Sequence, residues 1–125
     1  MYLTKTLAAA AVVLALGAGS AAPALAFCNA TVVVRNDSNE TVRTSTVENQ
    51  KKGEYGWTRM EGNQVYGRTL QPGESVTITP KPMFRKPEAT LRWRIKIVED
   101  SGREGYAISN YGWCKSTVSA YYTGS

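Results

Sequence analysis

Ala89-Thr90-Leu91-Arg92-Trp93-Arg94-Ile95-Lys96-Ile97-Val98-Glu99 is the stretch that decides the fold. Leu91, Trp93, Ile95 and Ile97 occupy every second position, with Arg92, Arg94, Lys96 and Val98 between them. Period two is the repeat of a strand with one buried face, because successive side chains leave the backbone on opposite sides. The pattern predicts a long half-buried strand whose outer face carries three cations in a row, about 7 Å apart.

The same period recurs on either side of this strand. Val32 and Val34 alternate with Thr31, Val33 and Arg35, Val42 opens a Thr-rich run to Val47, and Val76 and Ile78 alternate with Ser75, Thr77 and Thr79. Trp57 to Met60, Gln64 to Leu70, Tyr106 to Ser109 and Ser116 to Tyr122 complete the set. Between the runs lie turn formers: Asn36-Asp37-Ser38-Asn39, Gln71-Pro72-Gly73-Glu74 and Asp100-Ser101-Gly102. No segment carries the period of a three-turn helix. About seven or eight short strands with corners at these spacings predict an all-β fold, a small antiparallel β-sandwich.

Near its start the chain carries Lys5, then an apolar run from Leu7 to Leu16 and the small-x-small triplet Ala24-Leu25-Ala26. This is the pattern of a signal peptide cleaved after Ala26, and the apolar run is shorter than the roughly 20 residues of a spanning helix. Removing 26 of 125 residues leaves 99, from Phe27 to Ser125, which predicts one domain in a secreted or periplasmic, bacterial-type protein. Ala24-Leu25-Ala26-Phe27-Cys28 also has the outline of a lipid-attachment box, but Phe27 stands where that signal wants a small residue.

In an oxidising compartment the only two cysteines, Cys28 and Cys114, are expected to form one disulfide tying the two ends of the mature chain. Closing a loop of that length adds about 4 kcal/mol in the chain-entropy model.

Lys5 accounts for one of fifteen Lys and Arg residues, so fourteen face ten acids in the mature chain. Six of the fourteen, Lys81, Arg85, Lys86, Arg92, Arg94 and Lys96, stand within sixteen residues that contain only one acid, Glu88. The excess charge is therefore a patch along the sequence. Within it, Pro80-Lys81-Pro82-Met83-Phe84-Arg85-Lys86-Pro87 is a loop, since three prolines remove backbone donors. Met83 and Phe84 at its tip, flanked by cations, have the composition of an interfacial anchor or a contact hot spot, or they plug an open end of the core.

The chain has no histidine, which removes Ser-His and Cys-His pairs and the usual zinc and copper sites. Bridged cysteines remove thiolate chemistry. A carboxylate pair of the glycosidase kind is the remaining catalytic option. Glu99 and Asp100 are expected to point to opposite faces, and Glu48, Glu54, Glu61 and Glu104 fall at expected loops. No catalytic residue, metal site or cofactor is assigned. Exposed Trp and Tyr side chains on a sandwich are able to stack on sugar rings, provided several rings lie together.

Two fainter patterns remain. Tyr55-Gly56-Trp57 recurs as Tyr111-Gly112-Trp113, the echo of either two related halves or a common strand entry. Val32-Val33-Val34-Arg35-Asn36 and Leu70-Gln71-Pro72-Gly73-Glu74-Ser75 are loosely similar to the outline of small secreted sandwiches such as the aegerolysins, which bind lipids; the outline carries no residue roles.

Together these features predict a non-enzymatic binding protein. Its expected surface joins Lys81, Met83, Phe84, Arg85 and Lys86 to Arg92, Arg94 and Lys96, facing an anionic envelope polymer, an anionic membrane surface or an acidic protein. No specific nucleic acid is implied. The competing readings are a structural or assembly protein, a hydrolase inhibitor and a small glycoside-active enzyme. If acids from neighbouring strands, Glu99 or Glu104 for instance, pair with the basic row, it is instead an ordinary solvated face.

Overall fold

A computed structural model describes residues 28–60, 67–82 and 85–124. The leader, the loop tip Met83-Phe84, Glu61 and the Gln64 to Tyr66 part of one expected strand lie outside the described residues. The described chain is all-β and contains no helix. Nine strands follow in order: β1 Thr31–Asn36, β2 Val42–Lys51, β3 Thr58–Arg59, β4 Thr69–Leu70, β5 Ser75–Ile78, β6 Thr90–Glu99, β7 Glu104–Ser109, β8 Gly112–Trp113 and β9 Thr117–Tyr122. They form one sheet in the order β3-β2-β6-β7-β9-β1-β5, with β8 also on β6 and β4 also on β2.

The long strand β6 follows its alternation. Leu91, Trp93, Ile95 and Ile97 are all buried, and they meet Val32, Val34, Val42 and Ile78 in a single core. One sheet covers both sides of that core because it curls. β4 pairs with β2 (Val42 opposite Leu70), β5 pairs with β1 (Val34 opposite Val76), and only Gln71 to Glu74 separate β4 from β5. A single short turn thus carries the chain between the two ends of the strand order, with Gly73 at φ 87° where a side chain would be strained.

Asn36 holds this corner. Its side chain is buried and donates to Glu40 O at 2.7 Å and Leu70 O at 3.1 Å, while its Oδ1 accepts from Ser38 N and Ser38 Oγ. Its backbone pairs with Glu74 O and Gly73 N. The two sequence fragments around Asn36 and Pro72 are therefore two halves of one corner, and their outline is explained by folding.

The sheet is mixed, a refinement of the antiparallel expectation. β9 and β1 run parallel, in register from Thr117 opposite Thr31 to Tyr122 opposite Asn36. Cys28 lies three residues before Thr31 and Cys114 three before Thr117, so parallel pairing brings the cysteines together. They form the expected disulfide across a Cα separation of 5.8 Å.

β2 is longer than the Val42 to Val47 run suggested. Its register against β6 shifts between Thr44 and Val47, so the buried positions change from Val42 and Thr44 to Val47 and Asn49. An irregularity of this kind adds a residue and breaks the period of two. The strand then runs on through Gln50 and Lys51.

At the far end of β6, Glu99 points into the core and Asp100 to solvent, on opposite faces as expected. Glu99 accepts from the Tyr122 hydroxyl and from Ser101 Oγ, and Arg103 lies 3.4 Å from its carboxylate. This carboxylate is held by the β6–β7 hairpin and by Tyr122 of β9, and it does not face the cation row.

Candidate functional site

The outer face of β6 carries the cation row beneath a layer of rings. After β2 the chain turns at Lys52 and Gly53, and β3 comes back along β2 with Arg59 opposite Glu48 and Thr58 opposite Asn49. This return lays Trp57 over the sheet. The Arg92 guanidinium sits 4.9 Å from the Trp57 ring centre and 5.0 Å from Tyr111; that of Arg94 sits 4.5 Å from both Trp57 and Tyr106. Reading along the strand, the stack runs Tyr111, Arg92, Trp57, Arg94, Tyr106. Such contacts are attractive because the guanidinium meets the negative face of the ring.

Each cation of the row also has a polar partner. Arg94 Nε lies 2.6 Å from Glu48 and Lys96 Nζ lies 3.0 Å from Glu104. Arg92 Nε donates at 2.8 Å to Gln50 Oε1, which also accepts from the Tyr111 hydroxyl at 3.0 Å. Gln50 is buried beneath this layer. Glu48 and Glu104 stand on strands, where the sequence suggested loops, and that placement lets them neutralise two of the three row cations. The face continues across the sheet as Glu48, Arg94, Ile108, Tyr121 and Arg35 in mutual register, with Ile108 and Tyr121 about half exposed.

Arg85 does not join the row. Its guanidinium takes both Glu54 oxygens at 2.9 Å and its Nε donates to Asn49 Oδ1, so it latches the Pro-rich loop to the β2 turn. Arg85, helped by the Lys51 backbone N–H, holds the Glu54 carboxyl down at about 2.

Behind this latch opens a cleft of about 490 Å³ lined by Lys51, Lys52, Arg85, Lys86, Glu88, Ala89 and Thr90. Lys51, Lys52 and Lys86 are exposed and, among the described residues, form no ion pair. Among the described residues, Glu88 is the one acid in the lining. The wall from Arg85 to Thr90 is braced by the disulfide: Cys28 N donates to Arg85 O and Cys114 N to Ala89 O. Trp113 is opposite Thr90 in register, is 56% exposed, and has Lys115 Nζ 5.7 Å from its ring centre.

Of the eight residues expected to form the surface, Lys86 and Arg85 come together at the cleft, and Arg92, Arg94 and Lys96 lie along the strand leading from it. Lys81 is exposed on the same loop. Met83 and Phe84 lie outside the described residues. Lys51, Lys52, Trp57, Tyr106, Tyr111 and Trp113 were not grouped with them by the sequence. The available signal was the repeated Tyr-Gly-Trp: Trp57 and Tyr111 both stack on Arg92, although one follows β2 and the other precedes β8. In comparisons with known proteins, no family model and no curated protein matches this chain.

Proposed function

We propose that this is a secreted or periplasmic protein that acts by binding an anionic polymer at the lysine cleft, without catalysing a reaction. The observation that carries this reading is the grouping of Lys51, Lys52 and Lys86 around one cleft, against Glu88 as the only acid among its described lining residues. Arg85, also in the cleft wall, already faces Glu54, and along the strand Arg94 and Lys96 face Glu48 and Glu104. Uncompensated charge is what a polyanion gains from, because binding releases its condensed counterions. The centre of the proposed site therefore moves from the strand to the cleft at its start. The disulfide fits an oxidising compartment, and among the described residues no helix is long and apolar enough to cross a membrane. A chain without histidine, whose two cysteines are bridged, supports a binding role over a catalytic one.

The test is a salt titration of the oxidised mature protein against a heparin-like sulfated polymer. Replacing Lys51, Lys52 and Lys86 by Ser should weaken binding and reduce the log-log salt slope by about one for each lysine that meets an anion. A triple variant with the parent's affinity and slope sinks the proposal.

A further inference from the structure

The cleft does not end at Lys86. Thr90 lines it, Trp113 stands opposite Thr90, and the ring layer over Arg92 and Arg94 follows along the same face of β6. From Thr90 to Lys96 this track is about 20 Å long, six strand residues at about 3.3 Å each. We propose that cleft and track together bind a uronic-acid-bearing polysaccharide, its carboxylates at the cleft lysines and its sugar faces against exposed rings, Trp113 first. This inference rests on the anion-binding reading of the cleft and adds the class of polymer.

Charge density argues for such a chain. A polymer whose anions are spaced more closely than sugar rings and which has no hydroxyls, such as polyphosphate, would press negative groups against Glu48 and Glu104, which sit among the track cations at 2.6 and 3.0 Å from Arg94 and Lys96. A polyuronate carries one carboxylate per ring, and its hydroxyls are able to donate to those same carboxylates. The C–H faces of sugar rings also need apolar, flat partners. Trp113, 56% exposed, offers one at the mouth of the cleft, and Tyr106, 43% exposed, another at the far end of the track. Tyr106 and the rings between it and Trp113 are held against guanidiniums, so the track is ordered before a ligand arrives, which lowers the cost of binding.

The experiment compares polygalacturonate, its fully methyl-esterified form, polyphosphate and a single-stranded oligonucleotide at one moderate salt concentration. It uses the disulfide-bonded mature chain and its Trp113→Ala and Trp113→Tyr variants, with folding followed by circular dichroism. Polygalacturonate should bind more tightly than polyphosphate. Trp113→Ala should weaken polygalacturonate about tenfold and leave polyphosphate unchanged, with Trp113→Tyr restoring much of the loss. Equal affinity for polygalacturonate and polyphosphate, or an unchanged polygalacturonate affinity in Trp113→Ala, overturns the sugar inference while the anion site stands. Tighter binding of the oligonucleotide overturns it in favour of nucleic acid. Equal binding of the esterified polymer removes the role of the lysines, and no binding to any polyanion removes both proposals together.

Discussion

Trp57→Ala tests whether the ring and guanidinium layer holds itself together. Trp57 touches both Arg92 and Arg94, at 4.9 and 4.5 Å from ring centre to guanidinium carbon. Such a contact contributes about 0.5–1 kcal/mol when exposed and about 2 when desolvated. The Arg94 side chain is 25% exposed, between these limits, so two contacts at about 1 kcal/mol each give a loss of about 2 kcal/mol. For a domain of this size 1 kcal/mol moves the melting temperature by about 4–8 °C, so the variant should melt about 8–16 °C lower. Calorimetry of the oxidised protein measures this directly. A double-mutant cycle with Arg94→Met isolates the pair and should return a coupling of about 1 kcal/mol. A coupling indistinguishable from zero, or a melting shift under about 4 °C, would refute the view that the stack is an energetic unit and with it the claim of a preordered track.

Two further outcomes follow from the structure. The Glu54 carboxyl is held at about 2 by Arg85, against 4.5 ordinarily, so its stabilisation is complete above pH 4.5 and is lost as pH falls towards 2. The melting difference between parent and Glu54→Gln should accordingly shrink across that window; a difference that grows on acidification shows that Arg85 is not the cause. Gly112→Ala places a Cβ 2.7 Å from Val118 Cγ1. It should cost about 1–3 kcal/mol in chemical denaturation, with Val118→Ala in the same chain recovering part of the loss, and a neutral single variant would contradict the close approach.

The strand β6 was legible because burial alone dictates its alternation: Leu91, Trp93, Ile95 and Ile97 must share a face whatever lies opposite. The disulfide was legible for a similar reason, there being one pairing to make. The parallel pairing of β1 with β9 was not: alternation fixes which side chains share a face but not strand direction, and the matching three-residue offsets from Cys28 and Cys114 emerge only once the strand starts are known. β2 was cut short because the register shift after Thr44 moves the buried positions by one and hands its last turns inward to Asn49, a polar residue. The charge balance of the patch was less legible, for a different reason. Counted along the chain, Lys81 to Lys96 carries a large positive excess, but charge balance is set across strands, where Glu48, Glu54 and Glu104 arrive from β2, its turn and β7. Glu104 was nameable as a neighbouring-strand partner, but no local pattern announces Glu48 or Glu54.

The division of labour on the outer face follows from the size of the domain. A single curled sheet has one apolar core, and its other face would carry bare strand surface with no second sheet to cover it. Trp57, Tyr106 and Tyr111, clamped on Arg92 and Arg94 above buried Gln50, supply a thin second layer there. Residues in that layer stabilise the fold as they shape the track, so their substitution changes stability and binding together. Lys52, Lys86 and Trp113 lie outside the stack, exposed at the disulfide-braced end. Loss of binding without loss of melting temperature at those three positions is the combination that a merely structural surface does not produce.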